Sequence, residues 1–195
     1  MRKPTRNRKK IIKDGWIEYK GESIEICNSQ QYGVYEEMLH KFIDQLDIAY
    51  LIHKRLLVVR LDYRINYYTE NNRLLSNHMK NIIQWLRREY GIKNVGYIWV
   101  REQEKSKKQH YHLVLILDGN KVQNPRKINA ILKRKWAPRG DVFIPKDCYY
   151  YIDKYNYKKQ REEVIYRCSY LAKSRGKGFR PPQTKDYACS RLKRF

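Results

Sequence analysis

The order in which the spacing of apolar residues changes along the chain limits the fold more than any other feature. Leu56-Leu-Val-Val-Arg-Leu-Asp-Tyr63 alternates, with Leu57, Val59 and Leu61 on one face and Val58, Arg60 and Asp62 on the other. Leu75, Met79, Ile82, Ile83 and Leu86 then recur at helical spacing until Gly91 stops the pattern. Val95 to Glu102 reads as a strand, Gln103 to Lys108 as a polar hairpin loop, and His110 to Leu117 as its partner strand. Asn124 and Pro125 supply an N-cap and a first-turn proline for a helix to about Trp136. Short strands near Val142 to Ile144 and Tyr149 to Ile152 follow, then a helix from Glu162 to about Ser174. This order predicts an α+β fold with a ferredoxin-like split β-α-β core. Such a core has an antiparallel sheet with helices on one face, leaving the other open.

Upstream, Trp16 to Tyr19 and Ser23 to Cys27 flank Gly21 as a small hairpin, and Tyr32 to about Lys54 reads as a helix. The chain divides into a basic arm (1–13), a hairpin and helix packed on the core (14–55), the core (56–175) and a basic, loop-like C-terminal tail (176–195). The arm carries Arg2, Lys3, Arg6, Arg8, Lys9 and Lys10, which serve either to touch phosphates or only to solubilise.

The 43 Lys and Arg against 20 Asp and Glu give a net charge of +23, which points to a polyanionic partner. RNA would satisfy that charge as well as DNA. With 42% hydrophobic residues the chain has enough apolar material for a core. Cys27, Cys148, Cys168 and Cys189 lie far apart with no C-x-x-C pair, which argues against a zinc ribbon or a disulfide framework. No stretch approaches the roughly 20 apolar residues of a membrane span, and the N-terminus lacks a signal-like apolar region. A soluble, cytoplasmic protein with reduced thiols and no membrane partner is expected.

The chemistry-bearing residues sit on this frame. Side chains two apart on a strand share a face, so His110 and His112 lie side by side with Val114 and Ile116. Two imidazoles bind a divalent cation when a carboxylate completes the set. Glu102 shares their face if it pairs opposite His110; Glu104 has the same parity but lies nearer the loop tip. An isolated H-x-H is better explained as an accident or a hydrogen-bonded pair; here two of the chain's five histidines stand together with an acid on the neighbouring strand. In Tyr166-Arg-Cys-Ser-Tyr-Leu-Ala-Lys173, Tyr166 and Tyr170 are one helical turn apart and face the same way, and Lys173 can stand beside Tyr170. A tyrosine can be a covalent nucleophile, favoured by a nearby ammonium. With 18 tyrosines in the chain, spacing alone does not choose one.

His110-Tyr-His112 on a strand followed by Tyr170-Leu-Ala-Lys173 resembles the HUH endonuclease superfamily. Val58-Val-Arg-Leu-Asp62, Trp99-Val-Arg-Glu-Gln103, His110-Tyr-His-Leu-Val-Leu115 and Tyr166 to Lys173 look, in that order, like inovirus Gp2-type rolling-circle replication initiators and their prophage relatives. The resemblance implies Mg2+ or Mn2+ held by His110, His112 and Glu102. It also implies attack by Tyr170 to give a 5′-phosphotyrosine, with assistance from Lys173, and Tyr166 as an optional second nucleophile. Arg60 and Asp62 on the open face contact DNA or form a structural pair, and Lys154 and Lys158, among Tyr149, Tyr150, Tyr151, Tyr155 and Tyr157, hold phosphates and bases or belong to an ordinary aromatic edge. The partners implied are single-stranded or hairpin origin DNA and a host helicase, since no P-loop is present. A non-catalytic nucleic-acid-binding module or replication regulator on the same fold is the alternative.

Overall fold

The computed structural model describes residues 10–27, 32–103 and 108–193. The basic arm up to residue 9 and Glu104 lie outside them. In chain order the elements are β1 (Ile11–Ile12), β2 (Trp16–Tyr19), β3 (Glu22–Glu25), β4 (Val34–Tyr35), α1 (Glu36–His53), β5 (Leu56–Arg64), α2 (Arg73–Tyr90), β6 (Gly96–Glu102) and β7 (His110–Asp118). There follow α3 (Arg126–Trp136), β8 (Val142–Phe143), β9 (Tyr149–Ile152), α4 (Tyr157–Ser169), a single 3-10 turn (Tyr170–Ala172) and β10 (Tyr187–Cys189).

The main sheet has the order β10-β6-β7-β5-β8, with β9 pairing the remainder of the β5 edge, and every pairing is antiparallel. β5 and β6 run parallel with β7 between them, and β7 and β9 run parallel with β5 between them. That is the split β-α-β topology expected from the order of periods. α2 and α3 lie on one face, over Leu57, Val59, Leu61, Trp99, Tyr111, Leu113, Leu115 and Leu117. α2 ends where expected, because Gly91 takes φ +62°, a left-handed stop that a glycine adopts without strain.

The opposite face is not open. α1 and α4 pack on it, burying Leu39, Phe42, Ile43, Val164 and Ile165 against Val58, Ile98, Val114 and Ile116. The reason is compositional: those sheet residues are apolar and would otherwise face water. Only the end of this face near His110 stays polar.

Three boundaries also differ from expectation. α1 begins at Glu36, because Val34 and Tyr35 pair with Ile12 and Ile11 instead. α4 begins five residues before Glu162 and gives way after Ser169 to the 3-10 turn. Its first turns escape a search for apolar periodicity because their inward residue is Arg161, buried on Asp47 at 2.7 Å and on Glu22 at 3.1 Å. Finally, the loop-like tail contains β10, which pairs Tyr187, Ala188 and Cys189 with Val100, Trp99 and Ile98. β6 would otherwise present an unpaired edge.

Candidate active site

Strand register brings the first residues together. His110 stands opposite Glu102 across the β6–β7 hairpin, and His112 stands opposite Asp62 on β5. All four side chains fall on the α1/α4 face, at the end of the sheet. His110 Nε2 lies 3.6 Å from Glu102 Oε2, and His112 Nε2 lies 3.4 Å from the same oxygen. The imidazoles are 5.1 Å apart and nearly perpendicular. The ligand atoms of Glu102, His110 and His112 all lie within 4.8 Å of one another, forming the metal-type cluster found among the described residues.

The residues present fit a divalent cation. Asp62 Oδ1 sits 2.6 Å from His112 Nδ1, so the other nitrogen, Nε2, is left pointing at the cluster. That Nε2 is buried and makes no hydrogen bond. A ligand imidazole is commonly fixed this way, by a carboxylate on its far nitrogen. His112 and Glu102 are buried, whereas the His110 side chain is 41% exposed, so the site opens to solvent on the His110 side.

The charges agree with this placement. Burial works against the ionised form of Glu102, but the imidazoles of His110 and His112 beside it and the Lys177 charge outweigh it, holding its carboxyl far below the usual range. Burial likewise works against protonated His112, and Asp62 and Glu102 reverse it, leaving a raised imidazole pKa. Asp62 is lowered, its burial overcome by His112 and Arg60.

The second element arrives from α4. The chain leaves that helix through the 3-10 turn, and Lys173 then becomes extended and bridges Val34. This exit brings Lys173 to the cluster, with the Tyr170 ring against its ammonium. Lys173 Nζ lies 3.3 Å from Glu102 Oε2 and 3.8 Å from the centre of the Tyr170 ring. Tyr166 does not share that position. It is on the regular helix, exposed, with its phenol raised chiefly by Cys27 and next by slight desolvation and Glu25.

The remaining expected residues divide. Arg60 lies 3.3 Å from Asp62, and Asp62 is turned onto His112 and Arg60, so it supports the cluster from inside. Lys154 and Lys158 are elsewhere. Ile152 pairs with Leu56, six residues along β5 from Asp62, about 20 Å at ordinary strand rise, and both lysines lie beyond that end. Lys154 there covers the exposed ring of Tyr155.

One residue of the site escaped the sequence reading. Lys177, in the tail, is fully buried and donates to Glu102 Oε1 at 2.9 Å. Burial lowers its pKa against the pull of Glu102. The available signal was its flanking by Gly176 and Gly178, since glycines mark places where a backbone comes close to something else.

A model of the YagK/YfjJ C-terminal domain matches residues 20–190. The chain belongs to that family. The match takes in every element from β3 to β10, so this YagK/YfjJ domain includes the whole cluster, Lys177 among it. No curated protein matches the chain. Among solved structures it is similar to the N-terminal nuclease domain of the Minute virus of mice non-structural protein 1. That match has 14% identity, covers 93% of this chain and 71% of the other, and has a TM-score of 0.26. The description of the viral domain gives it Zn2+ coordination in its active-site pocket and DNA recognition at the origin of replication. At such a TM-score the likeness carries no argument.

Proposed function

We propose that this YagK/YfjJ domain nicks and rejoins single-stranded DNA through a covalent tyrosine intermediate, and that it starts rolling-circle replication of a phage or mobile element. The observation that carries the reading is the buried Nε2 of His112, which makes no hydrogen bond and faces Glu102 and His110, together with Lys173 beside Glu102 and against the Tyr170 ring. A nucleic-acid-binding module has no need of such a cluster, although the net charge of +23 suits either function.

Glu102, His110 and His112 would hold the cation, and of Mg2+ and Mn2+ the two imidazoles favour Mn2+. Such a cation supplies Lewis acidity at the scissile phosphate. Tyr170 Oη attacks phosphorus and forms the P–O bond. The bond from phosphorus to the 3′ oxygen breaks, and that oxygen keeps the electron pair. The phenol gives up one proton and the departing 3′ oxygen takes one, with Lys173 placed to offset the charge between them. The product is a 5′-phosphotyrosine and a free 3′-hydroxyl, and attack by a 3′-hydroxyl reverses the step without ATP. Asp62 keeps the His112 ring oriented. Unwinding is left to a host helicase, in the host cytoplasm. Among the described residues no helix is long and apolar enough to cross a membrane.

The test uses 3′-labelled single-stranded oligonucleotides tiling the DNA around the gene, incubated with the full chain and Mn2+. A denaturation-resistant labelled adduct is expected with wild type and Tyr151→Phe and absent with Tyr170→Phe. Tight binding with no adduct from any oligonucleotide would overturn the nicking reading in favour of a binding module.

A further inference from the structure

Glu102 carries more positive charge than a metal-binding carboxylate needs. Lys177 Nζ donates to Glu102 Oε1 at 2.9 Å and to the carbonyl of Lys173 at 2.6 Å, and its side chain is fully buried. Lys173 stands 3.3 Å from the other carboxylate oxygen, the one that faces the histidines.

The backbone around Lys177 is shaped for this contact. Gly176 has φ +76°, and a Cβ there would come within 3.4 Å of Glu102 Cβ. Its carbonyl accepts from Gln103 N–H at 2.7 Å, and Ser174 N–H donates to the Gly33 carbonyl at 2.9 Å. The segment is thus anchored on both sides of the carboxylate, and Lys177 is held on Glu102 by more than its own charge.

The consequence is electrostatic. Glu102 and Asp62 are matched by Lys173 and Lys177, and Arg60 adds to the positive side at 3.3 Å from Asp62. A divalent cation entering this cluster therefore finds no net negative charge, and buried charge of one sign is costly. A phosphodiester supplies the missing anion. We propose that Lys177 is a built-in counter-ion of Glu102, which keeps metal affinity low in the free protein and makes the divalent cation and a DNA phosphodiester bind as a pair. By linkage, whatever factor DNA adds to metal affinity, the metal adds to DNA affinity. This rests on the metal reading of Glu102, His110 and His112, and deepens it.

The test is a calorimetric titration of the full chain with Mn2+, with and without a short oligothymidylate, requiring no catalysis. Wild type should bind Mn2+ more tightly with the oligonucleotide present. Lys177→Gln and Lys177→Met should bind Mn2+ alone about tenfold more tightly than wild type, and the gain from oligothymidylate should shrink by a similar factor. If removing the buried amine lowers the unfolding temperature, Lys177→Gln decides, because it keeps an N–H donor for Glu102. Mn2+ affinity that is equal or weaker in the variants would overturn the role of Lys177 and leave the metal centre standing. No Mn2+ bound by any of the three proteins, with or without oligothymidylate, would overturn both.

Discussion

Two buried histidines in this molecule share one unusual feature and little else. His78 on α2 and His112 on β7 each have a buried Nε2 without a hydrogen-bond partner. His78 lies in the aromatic region beneath α2 and α3, its ring 4.9 Å from Trp136 and 5.4 Å from Tyr63. Burial first, then the charges of Arg139 and Lys135, push its pKa down to about 4, so it stays neutral. His112 is gripped by Asp62 and faces Glu102 and His110, and its pKa is raised. An orphaned imidazole nitrogen is therefore no ligand by itself. It is a candidate ligand where, as at His112, a carboxylate orients the ring from behind and other donor groups converge in front.

The contrast is broken most decisively by exchanging the two losses. His112→Ala should weaken Mn2+ binding on the order of a hundredfold or more, and His78→Phe should leave it within about twofold, both read by titration with oligothymidylate present. Loss of binding in both variants would erase the distinction.

The same pair differs in pH response. The folded-state pKa of His78 lies below the ordinary value of 6.5, so the stability it contributes is full above that pH and is lost as the pH falls toward 4. Only the unfolded chain takes up the proton in that window. The shift corresponds to on the order of 3 kcal/mol. Urea unfolding at pH 7 and pH 4.5 should show a much smaller acid-induced loss in His78→Phe than in wild type. An unchanged loss would mean that His78 is hydrated and not buried as described.

Asp62 sharpens the comparison from the other side. Asp62→Asn keeps the shape and weakens the hold on His112, and should lower Mn2+ affinity by roughly ten- to a hundredfold. If it changes only overall DNA affinity, Asp62 is a DNA contact after all. The smallest effect is expected at the far end of the sheet. Lys154→Ala combined with Lys158→Ala should change adduct yield at low salt by less than about twofold and flatten the salt dependence of DNA binding slightly.

What could be read from the chain itself follows the same division. β5 and β7 were readable because strict alternation gives each residue a face, and parity alone put His110, His112 and Asp62 on one face. The pairing of Glu102 with His110 was open beside Glu104 in the sequence, and the strand register fixes it. The start of α4 was hidden because its buried residue is the ion-paired Arg161 and not an aliphatic one. Lys177 was hidden because no periodicity marks a loop that folds back onto a carboxylate 75 positions away. The inward turn of Asp62 was undecided because parity gives a face and no partner. Patterns of apolar residues carry the framework, while contacts between polar groups far apart in sequence emerge only from the fold.

The central claim is that Tyr170, at the Glu102, His110, His112 cluster, is the residue that takes the DNA. Trypsin separates the two tyrosines in question, because Arg161, Arg167 and Lys173 place Tyr166 in the peptide 162–167 and Tyr170 in the peptide 168–173. Mass spectrometry of a nuclease-trimmed covalent adduct should find the residual nucleotide on peptide 168–173. A nucleotide on peptide 162–167, or on neither, would contradict the account.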